Sequence, residues 1–194
     1  MKRLLFLLIF IALILSCTRA QQPVQQSTQQ SAYDAAAEIT FTFTRQSGSA
    51  SNQYAIWIED AQGQFVKTLY AARWTANGGW NRRPTSIPLW VKQSGLSAIP
   101  RELTDTVSGA TPRTGELSYT WDGTDYRGNP VPAGNYVLIL EGTLRWENQV
   151  YYRAPFLLGQ GVFEPQVNVE YITGDRDTTA ERSMISNVRV RVFR

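Results

Sequence analysis

Most of the chain alternates apolar and polar residues with the two-residue period of a β-strand. Between residues 38 and 44, Ile39, Phe41 and Phe43 alternate with threonines. Similar strand-like segments cover residues 54–60, 63–72, 116–122, 135–142, 150–158, 167–172 and 185–193. Turns rich in Gly, Pro, Asn and Asp separate many of them, which is typical of an antiparallel β-sandwich. The pattern therefore predicts an all-β fold with one sandwich domain over residues 38–194.

One segment has the character of a helix. The sequence PLWVKQSG, residues 88–95, begins with Pro88, which is favoured at the first helical position, and ends at Gly95, which favours a helix C-terminus. No other segment outside the N-terminal region carries comparable signals. The sequence therefore predicts at most one short helix in the domain.

Four of the six tryptophans fall into two groups by context. Trp57 and Trp121 lie within predicted strands, where a large aromatic ring usually packs in the core. Trp74 and Trp80 flank the sequence Asn77-Gly78-Gly79, which predicts a loop. We expect the first pair to be buried and the second pair to lie on an exposed surface.

The first residues indicate export from the cytosol. Lys2 and Arg3 precede an apolar run over residues 4–15, which is shorter than the roughly 20 residues that a membrane-spanning helix needs. A short basic start followed by such a run is typical of a secretory signal, here residues 1–16.

The end of this signal, LILSC, resembles the lipobox of bacterial lipoproteins, with the small residue Ser16 before Cys17. This resemblance implies that Cys17 is lipidated and anchors the chain to a membrane. Thr18 after the cysteine favours the outer membrane under the usual sorting rule, and places the domain on the periplasmic side. Simple secretion with one spare thiol is the alternative.

Residues 17–37 are predicted to be a disordered tether. The segment is rich in glutamine, has few large apolar residues and shows no periodicity. Such a segment buries too little apolar surface to offset the conformational entropy lost on ordering. The predicted organisation is therefore a signal over 1–16, a lipidated tether over 17–37 and one domain over 38–194.

The residue inventory excludes several kinds of chemistry. The chain has no histidine, and Cys17 is its single cysteine. Histidine-dependent acid–base catalysis, thiol nucleophiles and His- or Cys-ligated metal sites are therefore excluded in the processed chain. The formal net charge is only +3, and two basic residues lie in the predicted signal, so nucleic acid is not an expected partner. This inventory does not favour an enzyme, and no metal is expected.

The most recognisable block is YTWDGTDYRGNPVPAGNYVLILEG, residues 119–142. It resembles the immunoglobulin-like domain of the flagellar hook-capping protein, which implies that the predicted sandwich is Ig-like. Asp122, Asp125 and Asn129 in this block have calcium-binding chemistry, but their spacing is not that of an EF-hand loop. We interpret them as turn residues that bond to their own backbone.

Several motifs occur together in one order: YAIWIEDAQGQFVKTL, IPLWVKQSG, DTVSGAT and the WDGTD block. This order resembles the bacterial periplasmic family called domain of unknown function 2271, DUF2271, over residues 38–194. The family has no established activity. Its members accompany flavin transferases and PepSY-type membrane proteins, so the resemblance implies a place in electron transfer outside the cytosol.

The motif DTVSGAT, at residues 105–111, resembles the D-x-x-[ST]-G-A-[ST] loop to which flavin transferases attach FMN through its phosphate. Asp105, Ser108, Gly109, Ala110 and Thr111 fit every specified position. The resemblance implies that the Thr111 hydroxyl accepts FMN and that its small neighbours let the loop enter a transferase.

An ordinary turn is the alternative interpretation of the same residues. Asp105 and Ser108 would then cap the local backbone, and Thr111-Pro112 would begin the next segment. The glycine-rich domain that surrounds the loop in known flavinylated proteins is missing here.

Two hypotheses of different classes follow. In the first, the protein is a membrane-anchored component of a periplasmic electron-transfer system, with FMN on Thr111 or with a flavinylated partner. In the second, it is a non-catalytic Ig-like module for binding or assembly in the cell envelope. Covalently bound flavin in the purified protein would distinguish them.

Overall fold

The computed structural model describes residues 35–48, 51–96, 107–175 and 179–194. Nine β-strands in this part of the chain form two sheets. The strands are β1 Ala37–Phe43, β2 Gln53–Asp60, β3 Phe65–Ala72, β4 Ser108–Gly109, β5 Gly115–Trp121, β6 Gly134–Arg145, β7 Asn148–Leu158, β8 Asn168–Ile172 and β9 Ile185–Val192. Every predicted strand is present, and the all-β, two-sheet architecture is confirmed.

The smaller sheet has three antiparallel strands in the order β5-β1-β9. Ile39, Phe41 and Phe43 of β1 are fully or almost fully buried, while the intervening threonines are half-buried, as the two-residue period predicts. The strand begins at Ala37, one residue before the predicted start of the domain. Ala35 is also buried, so the packed region extends a few residues into the predicted tether.

The larger sheet has six strands in the order β4-β3-β2-β6-β7-β8. All its pairs are antiparallel except that of β3 with β4, which run parallel. The predicted sandwich is thus antiparallel apart from one two-residue strand at the edge. That strand belongs to the segment in which the sequence indicated the flavin motif.

Both faces of the six-stranded sheet are covered, which explains the unbroken apolar run in β6. Leu138 and Leu140 point into the core between the two sheets, whereas Ile139 points to the other face. There it packs in a second core with Trp57 and Trp90. A strand buried on both faces loses the polar alternation that marks a half-exposed strand.

Two short α-helices occur among the described residues, one more than predicted. The first, α1, covers Arg73–Ala76, and the second, α2, covers Pro88–Gln93. Helix α2 lies on the outer face of the larger sheet, where both carboxylate oxygens of Glu141 accept backbone N–H bonds, from Leu89 (3.0 Å) and Trp90 (2.7 Å). A buried carboxylate on β6 therefore holds the first turn of α2 against the sheet.

Trp121 and Tyr136 pack inside the sandwich, as expected. Trp121 is fully buried, and its ring centroid lies 5.4 Å from that of Tyr136 and 6.0 Å from that of Phe156. Its Nε1 donates a hydrogen bond of 2.8 Å to the carbonyl of Thr124. The turn-forming WDGTD sequence is thus fixed to the core by its tryptophan.

Candidate functional site

The predicted flavin motif lies at the edge of the larger sheet. Ser108 and Gly109 form β4 and pair with Ala71 and Ala72 of β3. Ala110 is exposed, and Thr111 is half-buried and outside any regular element. Two other predicted site residues, Asp105 and Cys17, lie outside the described residues.

Tyr70 fixes the backbone of this motif. Its hydroxyl lies 3.2 Å from the carbonyl oxygen of Gly109 and 3.1 Å from that of Ala110, and donates to them. Burial raises the pKa of Tyr70 to about 12, and Tyr119 acts in the same direction, while the charge of Arg73 opposes the rise. Tyr70 therefore remains a protonated donor at neutral pH, and the two carbonyls beside Thr111 are held in place.

Steric contact with Tyr70 explains why residue 109 of the motif is a glycine. A Cβ atom on Gly109 would lie 2.6 Å from the Cε2 atom of the Tyr70 ring, a separation that non-bonded carbon atoms do not reach. Packing of β4 on Tyr70 is thus sufficient to require glycine here. The same residue satisfies the requirement of the flavin motif for a small neighbour.

A cleft of about 570 Å³ opens beside β4. Its volume falls in the range of about 300–1,000 Å³ found for small-molecule sites. The last three motif residues form part of its lining, and the rest comes from α1 and the turn that follows it. The lining residues are Arg73, Trp74, Asn77, Gly78, Gly79, Arg82, Gly109, Ala110 and Thr111.

Among the described residues that line the cleft, the two charged ones are both cations. Arg73 and Arg82 are exposed, and neither forms an ion pair with a carboxylate within the described ranges. Such guanidinium groups are well suited to bind a phosphate or a carboxylate, because they offer several N–H donors in a planar fork. The charge of these two arginines therefore favours binding of an anion in the cleft.

An aromatic ring is held in place at the same cleft. Trp74 is 45% exposed, and it lies so close to Gly79 that a Cβ there would come within 2.4 Å of both the indole ring and the Trp74 carbonyl oxygen. The prediction that Trp74 is exposed is confirmed. Trp80 is instead half-buried and packs against the second core, because Gly79–Asn81 form a 3₁₀ turn that directs its side chain inward.

The structure shows turn contacts for Asp122, Asp125 and Asn129, the residues with calcium-binding chemistry that the sequence analysis interpreted as turn residues. One carboxylate oxygen of Asp125 accepts the backbone N–H groups of Arg127 and Asn129, each at 2.8 Å. Asp122 pairs with Lys67 at 2.9 Å. Over the residues that the structure describes, no cluster of three or more His, Cys, Asp or Glu side chains could hold a metal ion.

The sequence motif identified Thr111 but not the residues that surround it. Arg73, Arg82 and Gly79 reach the cleft only because β4 pairs with the end of β3, where α1 begins. The one available signal was the sequence RWTANGGWNRR, residues 73–83, in which arginines flank a glycine pair and two tryptophans.

A family model described as "Predicted periplasmic protein (DUF2271)" matches residues 35–172. No curated protein and no solved structure matches the chain. Among the described residues, no helix has the length and apolar character to cross a membrane.

Proposed function

The chain belongs to the DUF2271 family of predicted periplasmic proteins, and from this premise we propose that it is a membrane-anchored component of an extracytosolic electron-transfer system that carries FMN on Thr111. The observation that supports the proposal is the position of Thr111 in the lining of the cleft that also contains Arg73, Arg82 and Trp74. Acceptor hydroxyl, phosphate-binding cations and an exposed aromatic ring thus occur in one place.

Attachment of FMN to Thr111 requires only a hydroxyl group from this protein. The Thr111 oxygen would form a bond to the phosphorus of FMN and lose its proton to the transferase. An activated donor is required, and a flavin dinucleotide supplies one, because its pyrophosphate bond breaks and the nucleoside monophosphate leaves. When bound, FMN supplies the redox chemistry through its isoalloxazine ring, so the absence of histidine is no obstacle.

The described residues fit such a group. Thr111 is half-buried in a cleft wall and is not part of the core, which supports access by a transferase. The two guanidinium groups complement the negative charge of the phosphodiester. Covalent attachment also prevents loss of the flavin by dilution outside the cytosol.

Thr111→Ala is expected to abolish flavin attachment completely when the protein is co-expressed with the flavin transferase of its host. The reason is that alanine has no hydroxyl to esterify. Intact-protein mass and in-gel flavin fluorescence measure the result. Thr111→Ser retains a hydroxyl and should still be labelled, and Thr114→Ala, which alters an exposed threonine nearby, should be labelled like the wild type.

The hypothesis that FMN is attached to Thr111 would be contradicted by an unmodified mass of the wild-type protein, under conditions in which a known substrate of the same transferase is labelled. The protein would then serve a flavinylated partner or act as an Ig-like binding module. Labelling of Thr111→Ala would assign the ester to another hydroxyl.

The anchor is tested separately. Cys17→Ala is expected to leave an uncleaved precursor without incorporated palmitate, because the thiol that receives the lipid is gone. Radiolabelled palmitate and the mass of the membrane-bound protein measure the effect. Ser16→Ala keeps a small residue before the cysteine and should be processed normally. Normal cleavage of Cys17→Ala would contradict the lipoprotein assignment in favour of plain secretion.

A further inference from the structure

We propose, in an inference that rests on the proposed function for the identity of the ligand, that the cleft is itself a preformed non-covalent site for a planar aromatic ring bearing a phosphate. Arg73 and Arg82 bind the phosphate, and Trp74 stacks on the ring. FMN is the member of this class to which the site is assigned. Binding does not require the ester to Thr111.

The proposed phosphate-binding part of the site rests on two arginines that pair with no carboxylate of the described residues. Arg73 belongs to α1, and Arg82 follows the 3₁₀ turn Gly79–Asn81, so both cations are carried by one short segment that borders the cleft. In the part of the chain described by the structure, no carboxylate pairs with either of them. The described residues that line the cleft include no acidic side chain. A dianionic phosphate supplies the missing charge and accepts several N–H bonds at once.

The proposed stacking of a planar ring rests on the packing of Trp74 against Gly79. The close approach of its indole to Gly79 limits its movement, because the glycine backbone fits against the ring without a side chain between them. The 45% of Trp74 that stays exposed is available for offset stacking on a planar ligand. A ring that is already fixed loses little conformational entropy when the ligand binds.

The position of Thr111 explains why one site serves both steps. Thr111 lines the same cleft as Arg73 and Arg82, so the proposed acceptor residue and the proposed phosphate-binding residues border one cavity. Tyr70 keeps that loop in place through the carbonyls of Gly109 and Ala110. An esterified FMN is therefore held in the cleft and does not swing freely on its linkage.

The test measures binding of free flavin to a protein that cannot be esterified. The full-length Thr111→Ala protein, purified in detergent, is titrated with FMN, riboflavin and AMP by calorimetry. We expect saturable binding of FMN and binding of riboflavin that is weaker by about tenfold to a hundredfold, because riboflavin lacks the phosphate. Added salt should weaken FMN binding and leave riboflavin binding almost unchanged.

Further substitutions in the same background assign the roles. Arg73→Ala and Arg82→Ala should each weaken FMN binding by about tenfold or more, and neither should affect riboflavin. Trp74→Ala should weaken both flavins by about threefold to tenfold, and Trp74→Phe should restore most of the loss. Arg113→Ala is the matched control, because Arg113 is exposed near Thr111 but does not line the cleft. It should bind FMN like its parent.

Failure of this proposal and failure of the proposed function give different results. Absence of FMN binding to the Thr111→Ala protein, or equal loss with Arg113→Ala and Arg73→Ala, would overturn the binding site even if the wild type is labelled. AMP binding as tight as that of FMN would overturn the assignment of the ring. FMN binding with the expected arginine dependence supports the site even if no ester forms on the wild type.

Discussion

Replacing Trp121 with alanine is expected to lower the free energy of unfolding by about 3–5 kcal/mol, the usual cost of removing a fully buried large aromatic ring. Trp121 is 0% exposed and packs on Tyr136 and Phe156. The substitution also leaves the carbonyl of Thr124 without its indole donor. Because single domains have a total stability of about 5–15 kcal/mol, this loss is a large fraction of the total, and the urea midpoint should fall clearly.

Urea unfolding followed by far-UV circular dichroism measures this effect without relying on tryptophan fluorescence. Trp74→Ala is the matched control, because it removes the same side chain from an exposed position, and it should change the stability by about 1 kcal/mol or less. Trp121→Phe should recover part of the loss by refilling the cavity. Equal unfolding midpoints for Trp121→Ala and Trp74→Ala would show that Trp121 is not a core residue.

The second large effect is a loss of stability with rising pH that depends on Glu141. Burial raises the pKa of this carboxyl from its ordinary value of 4.5 to about 7, against the opposing effect of the N–H bonds from Trp90 and Leu89 and of Tyr151 and Arg153. Below pH 4.5, the side chain is protonated in both the folded and the unfolded state. Between pH 4.5 and 7, only the unfolded state ionises freely, so stability falls as pH rises.

Above pH 7 the full penalty is present and constant, and it amounts to about 3 kcal/mol at most. No histidine titrates in this window. Asp122 and Asp125 act in a different range. The pKa of Asp122 lies below 3.8 because hydrogen bonds from Lys67 and Thr124 outweigh its partial burial, and that of Asp125 is lowered chiefly by the backbone N–H of Asn129. Their stabilisation is lost only at lower pH.

Glu141→Gln should remove this slope, because glutamine does not ionise. At pH 4.5 the folded wild type carries a protonated carboxyl, whose two oxygens are both able to accept. The NH₂ group of glutamine cannot accept, so one backbone N–H of α2 loses its partner and the stability at pH 4.5 falls by about 1–3 kcal/mol. Urea midpoints at pH 4.5, 5.5, 6.5 and 7.5 measure both effects. A wild type with flat stability over this range, or a variant that keeps the slope, would contradict the role of Glu141.

The strands were predictable because each carries a local signal. The alternation of Ile39, Phe41 and Phe43 requires one buried face whatever the neighbouring strands are, and Pro88 marked the start of α2 correctly. Helix α1 was missed because four residues are too few to show a helical period. The Ig-like topology stays a prediction.

Only the contiguous part of the candidate site could be predicted from the sequence. Ser108, Gly109, Ala110 and Thr111 are contiguous, so a motif describes them. Arg73, Trp74 and Arg82 join them through the parallel pairing of β3 and β4, and a contact between distant segments leaves no periodic pattern. The role of Tyr70 could not be predicted either, because an apolar strand position gives no sign that its hydroxyl will reach the carbonyls of β4.

The pairing of Ala71 with Ser108 has a consequence for the order of events during maturation. The β2–β3 hairpin is local and closes early, whereas the segment after α2 must close a much longer loop before β4 can join the sheet edge. We therefore expect the backbone around Thr111 to acquire its final shape late. A modifying enzyme that recognises this shape would act on folded chains and pass over unfolded ones, so that the covalent mark would also report that folding is complete.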